Sequence, residues 1–340
     1  MRLTIAVCTW NRRELLRQTL AQLTRMSVPS DVQLDVVVVN NNCTDDTDAV
    51  IEEFRKRLPL HRLFEGRAGV ASSRNAALAR ASADYLAFID DDALVDDSWL
   101  VELTAAVRAY PDAAAIGGVI EPWFPEPVDP DLLEAFHWLK LGFCGLDHGA
   151  EPGLLPDNLI IHGPNMVYRM AALKGLRFNT ALGGTPTSTM GGDERDLLNR
   201  LRAQGGTVVW WPGMLVRHYV SPSRTTLGYC LRFSSDKGRE RALTQAPEPA
   251  PILFGAPRWL WRRWLMAYLR YLAAWVMPAA RNERMPLLSG RAEVGPSKRV
   301  RALMWRKEFS FVGGMIRGHR QLHRQREIPG READSSYLAN

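Results

Sequence analysis

Over its first two-thirds the chain alternates short apolar runs with longer amphipathic stretches. Leu3 to Thr9 and Leu34 to Val39 are nearly continuous apolar or β-branched runs, the pattern of strands covered on both faces. Tyr85 to Ile89 and Ala113 to Ile120 read as two more strands. Between them, Arg12 to Arg25 carries Leu15, Leu16, Leu20 and Leu23 at helical spacing. Thr44-Asp45-Asp46 opens a helix through about Arg57, with acids at its positive end. Gly69 to Ala83 and Ser98 to Tyr110 complete the helices of this part. Such alternation predicts a mostly parallel α/β sheet with right-handed crossovers.

From Pro122 to Pro156 the pattern loosens around a short helix near Leu132–Leu139, as in a lid or binding loop. Asn165 to Arg169 reads as a short strand. Asp193 to Gln204 reads as a helix stopped by Gly205-Gly206, and Thr207 to Trp211 as a strand. Residues 244–257, rich in Pro and Ala, read as a linker.

Hydrophobic residues make up 46% and charged residues 24%, which excludes a disordered chain and supports a sizeable core. Four scattered cysteines show no zinc-ligand spacing and fit a reducing compartment. No apolar run reaches bilayer length, and the first residues lack a signal-peptide pattern, so a cytoplasmic location is expected. Charge is unevenly spread. Residues 251–340 hold 17 Lys/Arg against 6 Asp/Glu, while the first 250 are net acidic. A basic tail on an acidic body points to an anionic surface as partner.

The strand ending at Ile89 stops at Asp90-Asp91-Asp92. Carboxylates at the carboxyl end of a buried strand lie where open α/β sheets bind ligands, and their oxygens suit Mg²⁺ or Mn²⁺. A solvated turn leading into the helix near Asp96-Asp97 would use the same acids. Asn40-Asn41-Asn42-Cys43-Thr44 follows the second strand and fits either a nucleoside contact or an Asx turn. In Gly69–Asn75, Arg74 is placed to reach a pyrophosphate or simply to be solvated. Gly191-Gly192-Asp193-Glu194 offers a general base or a helix cap, and His218 a metal ligand or a structural histidine.

In order along the chain, Val7–Arg12, Val39–Thr47, Gly69–Asn75, Phe88–Asp92, Gly163-Pro164-Asn165-Met166 and Gly191–Leu197 with Arg200 resemble the inverting, nucleotide-sugar-dependent glycosyltransferases of family 2. The resemblance runs from about Leu3 to His218. It implies the GT-A fold, a Rossmann-like mixed sheet flanked by helices, over residues 1–220. The nucleotide-sugar half would span about 1–120 and the acceptor half about 121–220, with a helical, basic extension over 221–340. It implies that Asp92 holds Mn²⁺ or Mg²⁺ and that Asp90 faces the ribose, with Asp91 in the same donor-binding stretch. Thr9 and Asn11 would border the nucleotide, and Arg74 and Asn75 would lie on the donor-side helix. Asn40 stands where the family often has a base-reading aspartate. His218 matches a late histidine that joins the metal site in some relatives. The resemblance puts the base at Glu194, although the family usually reads Glu-Asp where this chain reads Asp193-Glu194. A register shift of one residue would make Asp193 the base.

The activity implied is transfer from a nucleotide-sugar donor, UDP-sugar by family precedent, to a saccharide or lipid-linked acceptor. A catalytically silent scaffold and a sugar nucleotidyltransferase share the sheet, although Thr9-Trp10-Asn11-Arg12 lacks the glycine-rich first loop of the latter. In the tail, Leu260, Trp261, Trp264, Leu265, Tyr268, Tyr271, Leu272 and Trp275 fall on one helical side, with Arg258, Arg262, Arg263 and Arg270 on another sector. That stripe fits either a membrane interface or packing on the catalytic domain. The basic helix Lys298 to Arg326 suits anionic headgroups. No nucleic-acid motif accompanies the charge, so no nucleic-acid partner is expected.

Overall fold

The computed structural model describes residues 1–136, 143, 145–182, 192–244, 250–276 and 297–326. Gly191, the end of the helix expected near Leu132–Leu139 and part of the expected linker lie outside these residues. The chain divides into two compact units. One comprises Met1–Trp123 and Cys144–Tyr219, the other Phe124–Phe143 and Val220–Asn340.

In the first unit the strands are β1 (Arg2–Thr9), β2 (Gln33–Asn40), β3 (Leu60–Phe64), β4 (Tyr85–Asp90), β5 (Ala93–Val95), β6 (Ala115–Gly117), β7 (Ile120–Trp123), β8 (Gly153–Leu154), β9 (Met166–Arg169), β10 (Val208–Trp210) and β11 (Val216–Tyr219). Eight of them form one sheet in the order β3-β2-β1-β4-β9-β6-β10-β8, in which β8 and β9 run against the other six. Its helices are α1 (Arg13–Leu23), α2 (Thr47–Phe54), α3 (Val70–Arg80), α4 (Trp99–Ala109), α6 (Met170–Leu173) and α7 (Asp193–Ala203), while α5 (Pro130–Phe136) belongs to the second unit.

The β-branched runs are buried on both faces. Ile5, Val7, Val36 and Val38 point into one core with Leu16 and Leu20 of α1 and Leu100 and Leu103 of α4. Ala6, Val37 and Val39 point into the other with Ala77 of α3 and Leu197 and Leu201 of α7. Alternate side chains of a strand face opposite ways, so an unbroken apolar run is what a sheet with two covered faces requires.

The apolar run Ala113 to Ile120 is not one strand. It breaks at Gly118-Val119, and β7 leaves the large sheet for a small one ordered β5-β11-β7. Gly118 lies at the break, where a Cβ would collide with the carbonyl oxygen of Met214.

The second unit is helical: α5 (Pro130–Phe136), α8 (Leu227–Thr244), α9 (Arg258–Val276) and α10 (Lys298–Arg326). The stretch expected as a linker contains a small hairpin, β12 (Ile252–Leu253) and β13 (Ala256–Pro257), turning on Phe254 and Gly255, both with positive φ. Helices α8 and α10 approach closely through glycines. A Cβ on Gly238 would strike the carbonyl of Phe311, and one on Gly314 the carbonyl of Ser235.

Helix α9 buries only Leu260, Ala267 and Ala274, a narrow seam at seven-residue spacing. Trp264 and Tyr268 meet Phe309 of α10, with ring centroids 4.6 and 5.5 Å apart. The stripe expected on α9 is thus divided: Trp261 and Trp264 are half-buried, whereas Leu265, Tyr268, Leu272 and Trp275 are exposed. No described helix is long and apolar enough to cross a membrane.

Replacing Gly314 by Val should lower stability by about 1–3 kcal/mol or more through overpacking at the helix crossing. Gly228→Ala, whose added methyl would meet only the end of Arg232 at 3.6 Å, should leave it level or raise it by about 1 kcal/mol. Urea unfolding of both variants checks this contrast.

Candidate active site

Parallel register sets the first layer of the site. Thr9 of β1 pairs with Asn40 of β2, and Cys8 pairs with Asp90 of β4, so these residues share the carboxyl edge of the sheet. The chain leaves β1 for β2 and β3 on one side and returns to β4 on the other, which makes β1/β4 a topological switch point. The small sheet adds one more group. His218 pairs with Ala93, immediately after the acids, and Tyr219 N–H donates to the Asp92 carbonyl at 2.8 Å.

Asp90, Asp92 and His218 thereby converge, each offering a ligand atom within 4.8 Å of the others. His218 Nε2 lies 3.2 Å from Asp92 Oδ1 and 3.6 Å from Asp90 Oδ2. Asp92 Oδ1 is buried and receives no hydrogen bond from the described residues. A buried carboxylate oxygen without a donor lacks the compensation that burial demands. An imidazole beside two carboxylates, one with such an oxygen, is a donor set that fits a divalent cation.

Arg12 is a cation of this cluster that the sequence pattern did not single out. Its Nη1 donates to Asp92 Oδ2 at 2.7 Å and to Asp91 Oδ1 at 3.2 Å. Asp91 is buried, and it accepts from Thr9 Oγ1 at 2.7 Å. Burial, helped by the neighbouring Asp92 carboxylate, pushes its pKa up to about 7.

A second cluster is built around Arg74, buried in α3. Its Nη1 donates to Asp193 Oδ2 at 2.7 Å and its Nη2 to Glu194 Oε1 at 3.0 Å, with Asp90 Oδ1 3.9 Å away. Both acids stand in the first turn of α7, at its positive end. Glu194 also accepts from Gly163 N–H and from His162 Nδ1, each at 2.8 Å. Burial alone would raise the Glu194 pKa. The Arg74 charge and the hydrogen bonds from His162 and Gly163 outweigh it and bring the value down to about 2. Asp193 moves the other way, because burial outweighs Arg74. Gly163 must lack a side chain, since a Cβ would collide with Arg74 Nη2 and lie 2.7 Å from Glu194 Oε1.

The residues expected at the nucleotide form hydrogen bonds within the chain. Asn11, at positive φ, accepts from Thr44 N–H at 2.7 Å and ties the loop after β1 to the loop after β2. Asn40 donates to Asp48 Oδ1 and accepts from Cys43 N–H. Asn75 exchanges two hydrogen bonds of 2.8 Å with the backbone of Phe178, anchoring that segment to α3. Thr9, Asp90, Asp91, Asp92 and His218 form one cluster. Arg74, Asp193, Glu194 and His162 form the other, and the Arg74–Asp90 approach links them. His162 was missed by sequence reasoning. It precedes the Gly163–Met166 segment, and only the fold brings it to an acid 32 residues further on.

A family model described as Glycosyl transferase family 2 matches residues 4–176, just over half of the chain. The succinoglycan biosynthesis protein ExoM of Rhizobium meliloti is 29% identical over 252 residues, covering 72% of this chain and 76% of its own. The validoxylamine A glucosyltransferase of Streptomyces hygroscopicus subsp. jinggangensis is 32% identical over 139 residues, covering 39% of this chain and 33% of its own. Among solved structures, the mannosyltransferase PcManGT of Pyrobaculum calidifontis, in complex with GDP-Man and Mn²⁺, aligns with a TM-score of 0.49 at 22% identity. That alignment covers 73% of this chain and 66% of the other. With the switch-point acids and the matched segment together, the chain belongs to glycosyl transferase family 2 and has the mixed α/β sheet of a GT-A glycosyltransferase.

Proposed function

We propose that this glycosyltransferase is metal-dependent and inverting. It would move a sugar from a nucleotide-diphospho-sugar, UDP-sugar as first choice, to an acceptor hydroxyl in polysaccharide or glycoconjugate biosynthesis. One observation carries the reading: two acid clusters meet at the β1/β4 switch point, one with a metal-ligand donor set and the other built on a charged carboxylate at a helix start. The relative named for succinoglycan biosynthesis supports a polysaccharide product.

Asp92, Asp90 and His218 would hold Mn²⁺ or Mg²⁺, which when bound offsets the charge growing on a departing nucleoside diphosphate. Thr9, Asn11, Asn40 and Asp91 line the nucleotide side, with Asp90 toward the ribose. Arg74 and Asn75 form the donor side of α3. Glu194, with Asp193 beside it, heads the group that accepts the proton of the acceptor hydroxyl. That oxygen attacks the anomeric carbon from the face opposite the diphosphate, so a single in-line displacement inverts the configuration. A diphosphate leaves without an acid catalyst, which distinguishes this site from the paired carboxylates of a hydrolase.

In this reading residues 1–220 form the catalytic domain and 221–340 an extension that rests on an anionic membrane surface, where a lipid-linked acceptor would be presented. Supporting it, α9 exposes Leu265, Tyr268, Leu269, Leu272 and Trp275, and the neighbouring hairpin tip exposes Phe254 at 75%. Arg258, Arg262, Arg263 and Arg270 are exposed on the same helix. Apolar and aromatic side chains edged by arginine are the composition of an interfacial helix.

Calorimetric titration with UDP, GDP and dTDP, each with and without Mn²⁺, should give metal-dependent binding of one nucleotide. Asp92→Asn should abolish the metal-dependent part. Absence of binding to all three would reject the transferase reading. Glu194→Gln should reduce turnover about 10²- to 10⁴-fold while nucleotide affinity stays close to that of the unaltered protein. A fully active variant would remove Glu194 from the proton-accepting group. For the membrane face, Leu269→Glu with Leu272→Glu should cut sedimentation with phosphatidylglycerol vesicles at least tenfold. Unchanged sedimentation would count against α9 as the contact.

A further inference from the structure

We propose that His162 is a catalytic residue: its imidazole, oriented by Glu194, takes the proton from the acceptor hydroxyl. The proposal rests on the transferase reading above and assigns the atom that performs its proton transfer.

Neither acid of the pair is free to do this well. Glu194 has three donors on its two oxygens, from Arg74, Gly163 and His162. A carboxylate held ionised down to about pH 2 has little tendency to take up a proton at neutral pH. Asp193 is 3% exposed and bound to Arg74 Nη1. The imidazole of His162 differs on both counts, with its side chain 22% exposed and Nδ1 engaged by Glu194. Nε2 has no hydrogen-bond partner among the described residues.

The tautomer follows from the partner. An ionised carboxylate only accepts, so Nδ1 of a neutral His162 carries the proton and Nε2 presents its lone pair. The charged groups around this ring are Glu194 directly, and Arg74, Asp193 and Asp90 through the Arg74 guanidinium. In the step itself, Nε2 accepts the hydroxyl proton as the acceptor oxygen bonds to the anomeric carbon. The bond from that carbon to the diphosphate oxygen breaks, and its electron pair leaves on the nucleoside diphosphate. The resulting imidazolium is paired with Glu194 and returns its proton to solvent from the exposed side. Glu194 and Arg74 are then positioning residues, arranged as a carboxylate and histidine are in hydrolytic triads.

The first test needs no substrate. Long-range ¹⁵N–¹H spectra of histidine-labelled protein near pH 8, with the His162 signal assigned by its loss in His162→Asn, should show the Nδ1-protonated tautomer. Protonation at Nε2 would overturn the proposal. His162→Asn keeps a donor toward Glu194 while removing the base. With Mn²⁺, it should bind nucleotide as the unaltered protein does. Yet it should release nucleotide from UDP-glucose, UDP-N-acetylglucosamine or GDP-mannose, whichever the protein cleaves, about 10²- to 10⁴-fold more slowly. An equally fast variant would refute the role. Failure of the transferase reading would look different, as absent nucleotide binding by the unaltered protein.

Discussion

A guanidinium sealed inside the molecule organises the site. Arg74 is 4% exposed, and a cation so enclosed is tolerable only when paired. Its three partners come from two places: Asp90 at the end of β4, and Asp193 and Glu194 at the start of α7. The charge that needs neutralising therefore fixes α7 against α3 and fixes both against the acid edge of the sheet. It also holds Glu194 ionised against its burial, while Asp193 beside it is still raised by burial. Arg12 reaches the Asp91–Asp92 pair only from the half-exposed side, and burial, with the Asp92 charge added, pushes Asp91 up to about 7.

Strand register does the rest of the positioning. Because β1 lies between β2 and β4, the carboxyl ends of three strands open on one crevice. Because β11 pairs with β5 directly after the acids, a histidine more than 120 residues further along falls beside them. Neither placement depends on a long loop. Both follow from backbone hydrogen bonds, which hold side chains to tenths of an ångström in a way that surface segments do not.

The long elements were legible because their apolar patterns carry the burial requirement directly. A run such as Val36 to Val39 can be satisfied only between two cores, and α1 shows its buried stripe at helical spacing. What escaped reading lacked that signature. Strand β3 reads Leu-His-Arg-Leu-Phe, largely exposed at the sheet edge, and β5 has three residues, too few to display a period. The hairpin of β12 and β13 sits in a stretch whose Pro and Ala resemble a linker. The acidic motifs were legible for a different reason: carboxylates ending a buried strand are expensive enough to stand out. Arg12 and His162 were not, since a single arginine or histidine in a loop has no local signature and gains its partners only through the fold.

The reversed order of the acids gains a physical sense from the geometry. At the first turn of α7, the first acid faces inward and the second faces the loop before β9. Asp193, the shorter, needs to reach only Arg74 Nη1. Glu194 must span Arg74 Nη2, Gly163 N–H and His162 Nδ1 at once, and its extra methylene supplies that reach. The missing Cβ of Gly163 leaves room for the Arg74 guanidinium, so the longer acid and the glycine form one arrangement. A carboxylate with so many donors is stabilised as an anion, and what stabilises the anion weakens the base. The same contacts that tie Glu194 down turn it into a fixed negative charge against one nitrogen of an imidazole and leave the other nitrogen without a hydrogen-bond partner among the described residues.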